Sequence, residues 1–123
     1  MINNVNKILK KYDVELKEGV REGVEFISKK DFQRFAKLDK RILDLLIVPT
    51  VYDMFHAREE IYGDAYITVK DNRIFVMLMG IYVPLDLKED SFNHTVGVFE
   101  RYPECIEKVN IKGRDYLYLW WHK

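Results

Sequence analysis

Asp64, Asp86 and Lys88 are the side chains of this 123-residue chain whose types and spacing come nearest to a hydrolytic centre. Two carboxylates offer hard oxygen ligands to Mg²⁺, and a neighbouring lysine helps position water for attack on a phosphodiester. A second set is cationic. Lys30, Arg34, Lys37 and Arg41 are spaced i, i+4, i+7, i+11, so on a helix they fall within roughly 60° of one another at about 100° per residue. Such a row suits a phosphate backbone or an acidic protein, and it equally suits the solvated face of an amphipathic helix. His56, Glu59 and Glu60 share a helix face, but zinc needs ligands from a second element, and neither His94 nor His122 has a partner at ligand spacing. Cys105 is remote in sequence from any histidine and reads as an inert thiol. No Gly-rich phosphate loop or nucleophile elbow occurs. Catalysis, a resident metal and a cofactor are therefore not expected.

Asp64 followed by Asp86-Leu87-Lys88 resembles the PD-(D/E)xK nuclease pattern. The resemblance covers Asp64 to Lys88 and implies Asp64, Asp86 and Lys88 as the site, with Glu59 or Glu60 as a helical acid. It departs from the pattern in three ways: Asp64 precedes its strand, no Pro precedes Asp64, and Pro84 interrupts the strand before Asp86. The order from Ser28 to Met79 also fits a winged helix with Lys70 to Arg73 as the wing. The recognition helix would then carry Asp53, Glu59 and Glu60 against Arg58, and phosphates repel such a helix.

A third set is aromatic. In the segment Tyr116 to Trp121, period 2 sends Tyr116, Tyr118 and Trp120 to one face and Leu117, Leu119 and Trp121 to the other. Both faces are large and apolar. Either the strand is central and covered on both sides, or its Tyr116, Tyr118, Trp120 face meets a partner, where Tyr and Trp are favoured.

The elements that must position these residues divide the chain near residue 63. Val5, Ile8, Leu9 and Tyr12 form one stripe of a short helix. Val14 to Ile27, with Gly19 and Gly23, reads as a small hairpin or a connector. Ser28 with Asp31 reads as a capping box for a second helix. Its apolar face runs through Phe32, Phe35, Leu38, Ile42, Leu45 and Leu46 to Pro49, with Asp39 marking a kink or a new cap. Thr50 to Tyr62 reads as a third helix closed by Gly63 at C′. Beyond it, Ala65–Val69 and Ile74–Met79 form a hairpin across Lys70–Arg73, with Gly80 as a bulge and Ile81–Val83 as its continuation. Phe92 to Phe99 reads as a further strand and Pro103 to Glu107 as a helical turn. Val109–Ile111 pairs with Tyr116–Trp121 across Lys112–Asp115.

Composition narrows the class. Hydrophobic residues make up 48% and aromatics 14%, enough for one core in a single domain spanning residues 1–123. Lys+Arg and Asp+Glu balance at 20 each, which argues against a polybasic coat for nucleic acid or membrane. Residues 1–50 carry 11 basic and 8 acidic side chains, a net of +3, and residues 51–123 carry 9 and 12, a net of −3. One cysteine excludes an internal disulfide. Met1 leads into Asn3, Asn4 and Asn6 without a charged-then-apolar start, and the longest apolar run, Ile74 to Val83, is far short of a membrane span. A cytoplasmic protein is expected. Scarce uncharged polar residues lean toward a thermophile.

These readings combine into an α+β domain, with about three N-terminal helices packed on a four- to five-stranded, mainly antiparallel sheet. The expected function is a small non-catalytic protein-interaction domain, homodimeric through its sheet or bound to a protein partner. Such a domain suits an accessory gene of a virus or mobile element. Nucleic-acid binding or a nuclease is the alternative.

Overall fold

The computed structural model describes residues 2–38, 41, 43–47, 51, 52, 55, 56, 59–86 and 104–121. The first helix, α1 (Ile2–Leu9), runs into a 3-10 turn (Lys10–Tyr12). Val5 and Leu9 are fully buried, and Ile8 and Tyr12 pack beside them, the stripe that their spacing predicts. Strand β1 (Arg21–Ile27) follows, then α2 (Lys29–Ala36). Ser28 caps α2: its Oγ accepts from the Asp31 N–H at 3.2 Å, satisfying one otherwise orphaned donor.

A single buried carboxylate ties the two helices together. Asp31 is 2% exposed and accepts hydrogen bonds from Tyr12 Oη at 2.5 Å and Ser28 Oγ at 3.0 Å. Lys11 forms an ion pair with it, and Arg34 lies 3.8 Å away. Burial pushes the Asp31 carboxyl up, but the hydrogen bonds from Lys11, Tyr12 and Ser28 outweigh it and hold it below the ordinary carboxylate value.

From Lys37 onward the structure corrects the expected layout. The predicted long second helix stops at Ala36, where Leu38 N–H turns back to the Phe35 carbonyl at 3.0 Å. Leu43–Ile47 is strand β2, not helix. The physical reason lies in the strand it joins. β4 (Arg73–Pro84) is apolar on both faces, and over Ile74–Leu78 the edge not used by β3 takes β2 in parallel register, Leu43 opposite Ile74. Leaving that edge bare would orphan a row of backbone groups beside the core. Asp44 secures the pairing by accepting from Arg73 at 2.6 and 2.9 Å.

Val51, Tyr52, Phe55 and His56 are helical, but β3 (Tyr62–Lys70) already begins at Tyr62. Gly63 is thus a strand residue opposite Ile81 and not a helix C′. A Cβ there would come 2.9 Å from Leu78 Cδ1 and 3.3 Å from the Phe55 ring, so the residue is small to admit its neighbours.

The expected α+β arrangement of three helices on a sheet is therefore overturned. Among the described residues sheet dominates: the short helices α1 and α2, with the helical residues at 51, 52, 55 and 56, accompany a curled, half-barrel sheet in the order β1-β3-β4-β6-β5, with β2 joined to β4. β5 (Cys105–Ile111) is a strand where a helical turn was expected over Pro103–Glu107. The predicted strand Phe92–Phe99 lies outside the described residues.

The two hairpins predicted beyond residue 63 are present, whereas β1, within the Val14–Ile27 segment, pairs with β3. β3 and β4 join through Asp71 and Asn72, both left-handed, with Lys70 opposite Arg73. β5 and β6 (Arg114–Trp120) join through Lys112 and Gly113, also left-handed, with Ile111 opposite Arg114. Two consecutive positive-φ residues match the right-handed twist of flanking strands. The expected bulge at Gly80 is also present, since pairing jumps from Asp64↔Gly80 to Ala65↔Leu78 and leaves Met79 extra. One face of the sheet, carrying Val24, Ile67, Val69, Ile74, Val76, Leu78, Ile81, Val83 and Leu119, forms the core with α1, α2, Val51, Phe55 and Trp121. No helix among the described residues is long and apolar enough to cross a membrane.

Candidate functional site

The other face of the sheet is aromatic, and β6 runs through its middle. β6 pairs β4 on one side and β5 on the other, so it is interior. Tyr116, Tyr118 and Trp120 stand opposite Pro84, Tyr82 and Gly80. Tyr116 is buried, while Tyr118 and Trp120 are half-buried. Leu119 and Trp121 turn to the core, as their alternation predicts.

Residues from distant strands complete this face. In β1 the pairing shifts between Val24 and Ile27, and Phe26 takes φ +56°. A bulky residue in the left-handed region costs on the order of 1–2 kcal/mol and persists where packing over-determines it. Here the bulge lays Phe26 flat on Tyr62 (3.9 Å between ring centroids, 10°) and edge-on to Tyr116 at 5.1 Å and Tyr82 at 5.3 Å. Tyr82 in turn contacts Tyr118 at 4.8 Å. Such pairs contribute about 0.5–1.5 kcal/mol each beyond their burial, enough to offset the strain.

One carboxylate sits within these rings. Asp64 is 8% exposed and accepts a hydrogen bond from Tyr118 Oη. Asp64 is on β3 and Tyr118 on β6, with β4 between them. They meet because the intervening residue, Gly80, has no side chain. A Cβ there would lie 2.8 Å from the Leu119 carbonyl and 3.3 Å from Tyr118 Cε1. Burial raises the Asp64 carboxyl above its ordinary value, the Tyr118 hydrogen bond partly opposes this, and nearby Glu25 raises it further. Burial also pushes the Tyr82 and Tyr118 phenols well up, with Asp64 adding to both. Both phenols stay protonated, and Tyr118 is the donor to Asp64. Asp64 is thus the acceptor of the cluster and the group whose charge the surroundings resist.

The sequence-derived candidates disperse. Asp64 stands opposite Gly80, and Asp86 lies in the turn beyond the end of β4 at Pro84, with Gly80 to Pro84 alone spanning about 13 Å at the rise of a strand. Asp86 is exposed and held by Arg114 through Nη2 to Oδ1 at 2.7 Å and Nε to Oδ2 at 3.0 Å. Arg114 holds its carboxyl below the ordinary range. Lys88 lies outside the described residues. Asp64 and Asp86 are therefore not brought together, and among the described residues no three His, Cys, Asp or Glu side chains gather for a metal. His56 Nδ1 lies 2.9 Å from the Tyr52 carbonyl, and Glu59 and Glu60 are exposed in a turn. Lys30 and Arg34 lie on α2 and Lys37 is its C-cap, all exposed. Arg41 falls beyond the helix, its carbonyl accepting from Arg73 at 3.0 Å. The helix–helix–hairpin order of a winged helix is interrupted by β2, and its wing is a two-residue turn. Cys105 begins β5, partly exposed, opposite Trp120.

Phe26, Tyr62 and Tyr82 were not legible as members of one site. Gly80 was the available signal, since a glycine inside a strand marks a bulge or a close approach. No family model, no curated protein and no solved structure matches this chain.

Proposed function

We propose that this chain is a small non-catalytic interaction domain of the cytoplasm that pairs with a second copy of itself through the outer edge of β5. The supporting observation is β5 itself. It ends the strand order, and among the described residues it pairs only with β6. Its Ile106 is 62% exposed, although the facing Leu119 is in the core.

The register says which groups are available. A two-residue turn closes on a hydrogen-bonded pair, here Ile111↔Arg114. Alternation makes Val109, Glu107 and Cys105 bond inward to β6 and leaves the N–H groups of Ile106, Lys108 and Asn110 pointing outward. A two-fold axis lets one such edge satisfy another. Centred on Val109, it sets Lys108 of one copy against Asn110 of the other and avoids the like-charge pairs that centring on Lys108 or Glu107 creates.

Light scattering tests this. The expected mass is twice 14.8 kDa, with dissociation on dilution. Lys108→Pro removes an outward donor without touching the ladder to β6. Ile106→Asp replaces exposed apolar surface along the edge with a charge that pairing would have to desolvate. Both variants are expected to remain folded by circular dichroism and to run as monomers. A wild-type chain that stays monomeric up to high micromolar concentration overturns the proposal.

A further inference from the structure

Independently of the sheet edge, we infer that α1 and α2 together form a binding surface for the phosphate backbone of nucleic acid. On α2, Lys30, Arg34 and Lys37 fall on one side of the helix and are exposed. At about 100° per residue, Asp31 is next around the helix, beyond Arg34. Asp31 accepts Lys11, the last residue of an i, i+4 row with Lys7. One buried carboxylate thereby joins two separate cationic rows into a continuous surface.

The charge on that surface is countable. Lys7, Lys30 and Lys37 have no ion-pair partner among the described residues. Lys11 and Arg34 share the single negative charge of Asp31, a net of +1. Along these two rows the surface therefore presents four positive charges, with Lys10, Asp13 and Glu15 lining a cleft beside Lys7.

Its chemistry distinguishes phosphates from an acidic protein. Protein interfaces need a desolvated apolar or aromatic centre. Here Val5, Leu9, Phe32 and Phe35 are all turned into the core, at most 1% exposed. What remains is lysine and arginine heads in water, with exposed Gln33 at their margin, groups suited to contacts with phosphates. Binding is expected to be independent of sequence.

Fluorescence anisotropy with a labelled 24-base-pair duplex of mixed sequence tests it. Releasing counterions from about four phosphates gives a slope near −3.6 in log K against log salt, so affinity falls about 150-fold from 50 to 200 mM KCl for one chain on the duplex. In Lys30→Ala/Arg34→Ala/Lys37→Ala, one net charge remains and the fall shrinks to about fourfold over the same range. Lys70→Ala, at the β3–β4 turn and in neither the helical surface nor the β5 edge, leaves the duplex titration unchanged. Circular dichroism verifies that the triple variant is folded. Absence of binding at 50 mM KCl, an unchanged salt slope in the triple variant, or binding to polyglutamate with none to the duplex overturns the inference.

Discussion

Replacing Tyr118 with Phe removes one oxygen and leaves the ring, so it isolates what that oxygen does for Asp64. The hydroxyl is the hydrogen-bond donor to a carboxylate that is 8% exposed. Losing a hydrogen bond to a buried charged acceptor costs about 1.5–3 kcal/mol. For a domain of this size that corresponds to a fall in Tm of roughly 5–12 °C. The cost depends on pH, and its sign follows from the direction of the shift. Asp64 is raised in the folded state above its ordinary 3.8, so the folded chain binds the extra proton in the window above 3.8. Stability is therefore greatest below that value and declines as pH rises through the folded pKa. The Tyr118 bond lowers the Asp64 pKa, and without it the folded value climbs and the penalty at neutral pH grows. Thermal melts of wild type and Tyr118→Phe at pH 7.5 and pH 3.5 should show the large gap at pH 7.5 and a small one at pH 3.5. Asp64→Asn, which keeps an acceptor without the charge, should melt above wild type at pH 7.5. Equal gaps at both pH values, or a gap under 1 °C at pH 7.5, would refute the reasoning.

Other outcomes follow from the same contacts. Asp31 has the opposite shift, so its contribution is present above 3.8 and is lost as pH falls through its lowered folded value. Asp31→Ala should cost about 2–3 kcal/mol in urea unfolding at pH 7, and the difference from wild type should shrink in acid. Gly63→Ala places a Cβ 2.9 Å from Leu78 Cδ1 and should lower the urea midpoint by the equivalent of about 1–3 kcal/mol, with the slope unchanged. Asn72 sits at φ +61° in the β3–β4 turn, so Asn72→Gly should hold or raise Tm, whereas Asn72→Val should lower it.

The parts of the fold that sequence reveals are those with local signals. Lys70 to Arg73 and Lys112 to Asp115 lie between alternating apolar runs, so both hairpins could be read, and the Ser28–Asp31 box marked the start of α2. The end of α2 could not. Leu38, Leu45 and Leu46 continue a helical stripe, while β4's need for a partner along Ile74–Leu78 draws Leu43–Ile47 into a strand. That need arises from tertiary structure, which periodicity does not see. Gly63 misled for the same reason, since a helix C′ and a tight strand crossing both demand glycine. The aromatic cluster depends on contacts such as Asp64 with Tyr118, 54 positions apart, and on a bulge that turns Phe26 against its preferred φ. Only Tyr116, Tyr118 and Trp120, consecutive on one strand face, were visible in advance.

Amide exchange along β5 tests the proposed self-pairing most directly, because neighbouring residues serve as internal controls. Glu107 and Val109 bond to β6 and should be protected at any protein concentration. Ile106, Lys108 and Asn110 should exchange quickly in dilute solution and slow markedly as concentration rises and the second copy takes up their N–H groups. If those three amides exchange freely at every concentration while Glu107 and Val109 remain protected, the outer edge of β5 stays in water and the account of this chain as a self-pairing domain is wrong.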